Sequence, residues 1–393
     1  MPIDFGADCR PLFSIESDLI FLNNGSFGAP PHSMLEAQAT YRAMAERSPI
    51  SFFRNKLPKY LREAAGDLGA FIGAAEGTLA FTENATTGIN SVVLSVAHSL
   101  RPGDILLTTD HVYGAVRQTL NRYAEWTGAK VVEVSVPFPL HDSNEITEVI
   151  AAALTSQVKF AVFDHITSPS GIIFPIQDIV NLCRERNIPV LVDGAHAPGM
   201  VELNIEHLGA DWYVGNCHKW MFAPKGCAFL YTAPERQKET HALITSHGYG
   251  KGYAAEFDFT GTKDYSAFLA VRDALKFYRE NGGLEKIAAY NRNLARSMRR
   301  MLAETWNVAP PAPESAIGSL AALPVPENLP ANEETGWALH DELFGLHRIE
   351  VPVTFLKGRL WVRISAQIFN ESNEYCALAE ALPKAIISVQ CRL

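Results

Sequence analysis

The chain is 393 residues long, with 47% hydrophobic and 20% charged residues and a formal net charge of −9. This describes an ordinary soluble chain with apolar content enough for a large core, and the length predicts two domains rather than one. No Lys/Arg run or basic stripe speaks for nucleic acid or an anionic membrane as partner, and no apolar stretch reaches the roughly 18 residues of a membrane span.

The N-terminus, Met1-Pro2-Ile3-Asp4-Phe5-Gly6, lacks a basic region followed by an apolar one, which predicts a cytoplasmic protein. Cys9, Cys183, Cys217, Cys227, Cys376 and Cys391 fit neither a disulfide framework nor a metal site, so reduced thiols and no metal are expected. Residues 1–70 carry two helical stretches, Leu35–Met44 and Leu57–Phe71, with no strand signal before them, and this segment is expected to pack with the C-terminal domain.

From Gly77 to Tyr231 short apolar runs alternate with amphipathic ones. Strands are predicted at Leu79–Thr82, Ile105–Thr109, Lys130–Val136, Lys159–Asp164, Val190–Asp193, Trp212–Gly215 and Cys227–Tyr231. Helices are predicted at Thr87–Leu100, Ala115–Thr127, Glu145–Leu154 and Ile176–Arg186. The alternation predicts an α/β domain over residues 71–262, with a seven-stranded, mostly parallel sheet covered by helices on both faces.

After Thr262 the pattern changes. Helices are predicted at Asp264–Glu280 and Leu284–Glu304, followed by the Pro-rich link Val308–Pro313. A strand at Gly318–Leu323, a helix at Glu334–Leu343, paired strands at Glu350–Phe355 and Arg359–Ile364 and a last helix at Asn373–Ala385 complete a smaller α+β domain, residues 263–393.

In such sheets ligands gather at the carboxyl ends of the strands. Asp110-His111, Asp164-His165 and Asp193 fall at such ends. The run Val190-Leu191-Val192 delivers Asp193 at a defined depth, and a carboxylate held there needs a cationic partner. Lys219 lies in Asn216-Cys217-His218-Lys219-Trp220. A Schiff-base lysine and an acid that keeps a pyridine nitrogen protonated are the protein half of pyridoxal 5′-phosphate chemistry. Burial beside His218 would depress the Lys219 pKa as that role requires.

Ala85-Thr86-Thr87 opens a helix and reads as a phosphate cup or as a plain N-cap. His196 reads as a partner of the cofactor's phenolic oxygen or as a loop histidine. Arg363, at a strand end, reads as a fork for a substrate carboxylate or as a surface residue. Arg54 reads as a clamp for a distal carboxylate or as an exposed helix-start residue. Gly248-Tyr249-Gly250-Lys251-Gly252 lacks the dinucleotide fingerprint, which counts against a dehydrogenase.

Taken in order, these pieces resemble fold-type I pyridoxal phosphate enzymes of the class V aminotransferase group, in the isopenicillin N epimerase-like branch. The resemblance implies that Asn24, in Asn23-Asn24-Gly25-Ser26, approaches the substrate, and that Tyr113, with His111 second, stacks on the cofactor ring. It implies that Ser168 lies by the phenolic oxygen, that Asn216 and His218 join the phosphate site, and that Gly261-Thr262 reaches the phosphate of a partner subunit in a homodimer. It also implies that Asp193, His196, Lys219 and Arg363 take the roles named above. Asn216 departs from the Ser often found there. The stretch Leu339–Val362 holds no Cys, which disfavours a sulfur-relay desulfurase.

The expected substrate is a small amino acid or amino-acid-containing molecule. Epimerisation, for which Tyr113, His111 and Cys217 are the candidate second acids, and C–S β-elimination stand ahead of transamination. A non-enzymatic protein on the same fold is the alternative from another class.

Overall fold

The structure is a computed structural model, described over residues 3–326 and 329–392. Seven strands form the main sheet: β1 (Leu79–Thr82), β2 (Ile105–Thr109), β3 (Lys130–Val134), β4 (Val158–Asp164), β5 (Val190–Asp193), β6 (Trp212–Asn216) and β7 (Ala228–Thr232). Their order is β1-β7-β6-β5-β4-β2-β3. Only β7 runs against its neighbours; the other pairings are parallel. The reason is the connection. The segment from Cys217 to Cys227 turns straight back from β6 into β7, too short for the crossover a parallel pair requires.

Helices Ala85–Ala97, Gly114–Thr127, Asn144–Ala153 and Ile176–Glu185 cover the sheet. Val190, Leu191 and Val192 are each at most 2% exposed. Burying an aliphatic side chain of this kind stabilises by roughly 1.5–3 kcal/mol. That burial fixes how far β5 reaches, and therefore where Asp193 stands. Asp164 and Asp193 are direct register partners on β4 and β5, and Asp193 is in turn level with Val214 on β6. β4 and β5 thus end on one line, β6 runs two residues further to Asn216, and the one-turn helix Cys217–Trp220 follows directly from it.

The second sheet is antiparallel, with β8 (Leu320–Pro324), β9 (Val353–Leu356) and β10 (Arg359–Ser365) in the order β9-β10-β8. Helices Gly283–Trp306, Glu333–His347 and Ser372–Gln390 pack around it. No described helix is long and apolar enough to cross a membrane.

Two sequence expectations change. The strand expected at Glu350–Phe355 breaks at Val351-Pro352, because Pro352 has no N–H to continue a ladder. Ile349–Glu350 pairs instead with Ile20–Phe21, a short strand that the sequence reading missed. The helix expected at Asp264–Glu280 is two, Ser266–Leu269 and Val271–Glu280. Within the first 70 residues, the helix Leu57–Ile72 lies along β1 and Val271–Glu280, whereas Ile20–Phe21 joins the C-terminal region.

One turn ties the N-terminal segment to the Lys219 helix. Gly28 has φ 69° and ψ 165°, a region open essentially to glycine alone, and a Cβ there would lie 1.9 Å from the carbonyl oxygen of His218. Gly28→Ala is expected to lower unfolding free energy by about 3 kcal/mol in urea titration, from backbone strain plus the displaced turn. An unchanged midpoint would show that the 24–28 turn does not brace Lys219.

Candidate active site

A cavity of about 390 Å³ opens at the carboxyl ends of β4, β5 and β6, against the N-terminus of helix Ala85–Ala97. It is lined by nine of the residues singled out above: Ala85, Thr86, Tyr113, Ser168, Asp193, His196, Asn216, His218 and Lys219. Asp164, noted in the sequence as a strand-end acid but given no role there, also lines it, as do Ser26, Phe27, Glu83 and Lys225, which were given none either. Asp164 had a visible signal, an acid ending an apolar strand next to Asp193's strand.

Lys219 Nζ lies 3.0 Å from His196 Nε2. Trp220 Nε1–H donates to His196 Nδ1 at 3.3 Å, so the proton of the neutral imidazole sits on Nε2 and points at the lysine. Burial, then the charges of Lys219 and Arg363, hold His196 well below the usual imidazole range, so it is neutral. Burial, followed by Arg363, lowers Lys219 to about 7. About half of its amine is therefore unprotonated at neutral pH, and that form accepts from His196.

The Asp193 carboxylate accepts from Ala195 N at 2.9 Å and makes no other hydrogen bond among the described residues. Among the described residues, Asp164 Oδ2 is buried with no partner. Burial, then Asp193, pushes the Asp164 carboxyl well above the usual range, and burial also raises Asp193. Two adjacent acids removed from water cannot both stay ionised without a cation or a shared proton.

At the helix N-terminus, Asn84 caps Thr87 N at 2.9 Å, and Asn216 Oδ1 accepts from Ala85 N at 2.9 Å. Thr86 and the Asn216 amino group remain to meet an anion. His218 Nδ1–H donates to the Cys227 carbonyl at 2.9 Å, which leaves Nε2 as the free ring nitrogen. Burial lowers His218 to about 4. A bound phosphate dianion would raise that value and turn Nε2 into a donor.

Arg363 is 4% exposed and has no acidic partner. Nη1 donates to Ser168 O at 2.7 Å and Ser168 Oγ at 3.2 Å; Nη2 donates to Asn23 Oδ1 and Ser26 Oγ, both at 3.2 Å. Nε is buried without a partner. Arg363 stands directly behind Ser26 and Ser168, which line the cavity, rather than lining it itself. Burial lowers its guanidinium to about 10, so it remains a cation.

Five residues read from sequence fall elsewhere. His111 is fully buried, with Nδ1 2.8 Å from Ser170 Oγ and its ring edge-on to Phe138, so Tyr113 alone of the two faces the cavity. Asn24 is fully buried; it donates to Lys219 O at 3.1 Å and accepts from Ala29 N, so it braces the lysine turn instead of meeting a ligand. Arg54 is exposed on the wide helical turn Phe52–Lys56, away from the cavity. Gly261 and Thr262 do not line the cavity of their own chain, and Thr262 is exposed.

The class-V aminotransferase profile matches residues 20–337, which is most of the chain. The chain belongs to the class-V aminotransferase family. A putative L-cysteine desulfhydrase 1 of Oryza sativa subsp. japonica is 32% identical, over 94% of this chain and 84% of the relative. Isopenicillin N epimerase of Streptomyces clavuligerus is also 32% identical, over 95% of this chain and 97% of its own. Among solved structures, a complex of the cystine C–S lyase C-DES with cysteine persulfide superposes with TM-score 0.81 at 20% identity, covering 93% of this chain and 97% of that one, a likeness of fold.

This class-V protein is a pyridoxal phosphate-dependent enzyme. Its cavity fits the cofactor: an unpaired buried acid pair for a ring N–H, an unprotonated buried amine, and free donors at a helix N-terminus.

The lysine titration has a measurable consequence without cofactor. Lys219 titrates at about 7 when folded and at its ordinary 10.5 when unfolded, so between those values the unfolded chain binds more protons. This group's contribution therefore makes the protein more stable as pH rises through that window. Cofactor-free Lys219→Met is expected to be more stable than the parent by about 2 kcal/mol at neutral pH, an advantage that shrinks as pH rises. A constant difference across the window would contradict a depressed lysine pKa.

Proposed function

We propose that this enzyme is a C–S β-lyase acting on a cysteine-type amino acid, with epimerisation at Cα as the second reading. One observation carries the choice. Of the three side chains that the sequence offered as a second acid, His111 and Cys217 are fully buried and absent from the cavity lining, and Tyr113, the one left, is the residue this reading places over the cofactor ring, which leaves Lys219 as the one proton-transfer group. Epimerisation needs two proton-transfer groups on opposite faces of Cα, whereas β-elimination needs one base and a leaving group. The L-cysteine desulfhydrases among the relatives support the lyase reading, and the isopenicillin N epimerases support the second.

Pyridoxal phosphate, when bound, supplies the electron sink that makes a Cα–H bond acidic and a Cβ–S bond breakable. The residues do the rest. Lys219 would hold the cofactor, and the unprotonated form of its Nζ would take the Cα proton. His196 holds that amine in line. Asp193 would keep a proton on the ring nitrogen, with Asp164 beside it on the next strand. Thr86, Ala85, Asn216 and His218 form the phosphate site, and Tyr113 covers the ring. Arg363 grips the substrate carboxylate, with the hydroxyls of Ser26 and Ser168 giving way to it. The Cβ–S electron pair leaves on sulfur, and the enamine left behind hydrolyses to a 2-oxo acid and ammonia.

In this reading the enzyme works as a homodimer in the cytoplasm. Phe27 and Tyr113, which line the cavity, are 69% and 48% exposed in a single chain, and large apolar groups of this sort ask for a covering surface. Gly261-Thr262 would complete the phosphate site of the second copy. The six cysteines are all free, in keeping with a reducing compartment.

Incubation with an amino-acid panel in deuterated water separates the reactions. The lyase reading expects pyruvate and sulfide from cysteine, without inverted, deuterated amino acid. Inverted product labelled at Cα, with no pyruvate, would transfer the assignment to epimerisation. Asp193→Asn is expected to retain cofactor while kcat falls by about 10²-fold, the scale of losing one preorganised electrostatic contact. Undiminished kcat in that variant would remove Asp193 from the mechanism.

A further inference from the structure

Arg363 is held in place by a set of side chains that reaches from the cavity to the surface. Its Nη2 donates to Asn23 Oδ1 at 3.2 Å. The amino group of Asn23 donates to Glu350 Oε1 at 2.9 Å. The same carboxylate oxygen lies 3.2 Å from His340 Nε2, and His340 Nδ1 lies 3.1 Å from Asp341. Ser26 Oγ closes the arrangement by donating to Asn23 Oδ1 while accepting from Arg363.

We propose that Asn23, oriented by the Glu350–His340 pair, is the positioning residue that aims Arg363 at the substrate carboxylate. This rests on the reading of Arg363 as the carboxylate clamp and is independent of whether the reaction is elimination or epimerisation.

An asparagine amide fits its slot in two ways, related by a flip that exchanges oxygen and nitrogen. Only one way offers Arg363 an acceptor. Glu350 decides between them, because a carboxylate only accepts: it draws the NH₂ end of Asn23 toward itself and leaves Oδ1 for the guanidinium. His340, on the helix Glu333–His347, keeps Glu350 ionised, and its proton is favoured in return by the same contact.

The backbone makes this possible. Ile20–Phe21 pairs with Ile349–Glu350, so the strand that ends beside Asn23 is held against the strand carrying Glu350. Arg363 sits on β10, whose Arg363 N donates to Pro352 O at 3.0 Å. The segment around Asn23 is therefore held against the neighbouring strands that carry Glu350 and Arg363. The Arg363 guanidinium has no acid of its own, so nothing but neutral acceptors competes with a carboxylate for it.

The test compares an amino acid with its carboxamide, which keeps the amine but lacks the anionic group. Binding is read from the change in the bound cofactor's visible absorbance, and folding from circular dichroism melting of the cofactor-free variants. Glu350→Gln, which is nearly isosteric, and Asn23→Ala are each expected to weaken amino-acid binding about ten-fold, raising KM with kcat little changed, the size of a mis-set charge-assisted hydrogen bond. Carboxamide binding is expected to change by less than about two-fold. His340→Gln is expected to act in the same direction and more weakly.

Equal weakening toward both ligands would show a merely structural role, and no weakening toward either would show that Arg363 needs no guide; either result overturns the proposal. Arg363→Ala separates its failure from that of the function. If Arg363→Ala leaves amino-acid binding intact, the clamp reading fails; if that variant binds weakly while Glu350→Gln and Asn23→Ala bind normally, only the positioning role fails.

Discussion

Two carboxyl groups end neighbouring strands at the same level, in an interior that has no water to spare for them. Asp164 and Asp193 are register partners on β4 and β5, each at most 4% exposed, and one Asp164 oxygen has no partner. Left alone, such a pair carries a penalty of several kcal/mol, which a protein relieves by holding a proton or by meeting a cation. The rest of the site answers that demand. Lys219 stands near but is itself half-neutral at pH 7, because its own burial and the charge of Arg363 work against its ammonium form. The protein thus does not neutralise its own acids fully, and a ring N–H in the cavity would complete the balance.

The same logic runs in reverse on the other side of the cavity. Arg363 is a buried cation without a counter-anion, hydrogen-bonded only to neutral oxygens. Thr86 and the helix start beside it offer further donors. One part of the site is short of a positive group and another of two negative ones. A cofactor with a protonated ring and a phosphate, carrying a substrate with a carboxylate, would supply all three. The stability given up by leaving these groups unpaired is the cost of having the site ready, a familiar trade at functional positions.

Much of this was legible in the sequence, and the parts that were not share a cause. Strands β1, β2 and β5 were read to the residue, because continuous apolar runs between turn signals are a local property. Asp193 and Lys219 were legible for the same reason: one ends such a run and the other sits in an odd polar cluster after the next. Asn24 and Asn23 were not separable, since adjacent residues of identical chemistry are sorted only by which way the turn Asn24–Phe27 points them. Asn24 braces the Lys219 carbonyl and Asn23 meets Arg363. His111 and Tyr113 pose the same problem, two residues apart on one loop, and Ser170 and Phe138, both distant in sequence, decide it by claiming the histidine. Contacts between remote segments have no local signature.

The central claim is that the acid pair holds a proton on the cofactor's ring nitrogen. The direct measurement is the ¹⁵N NMR of the enzyme reconstituted with pyridoxal phosphate labelled at that nitrogen. The account expects the shift of a protonated ring nitrogen in the parent enzyme at neutral pH, and its movement toward that of an unprotonated ring in Asp193→Asn. A bare pyridine shift in the parent enzyme, or a shift unmoved by the substitution, would contradict it.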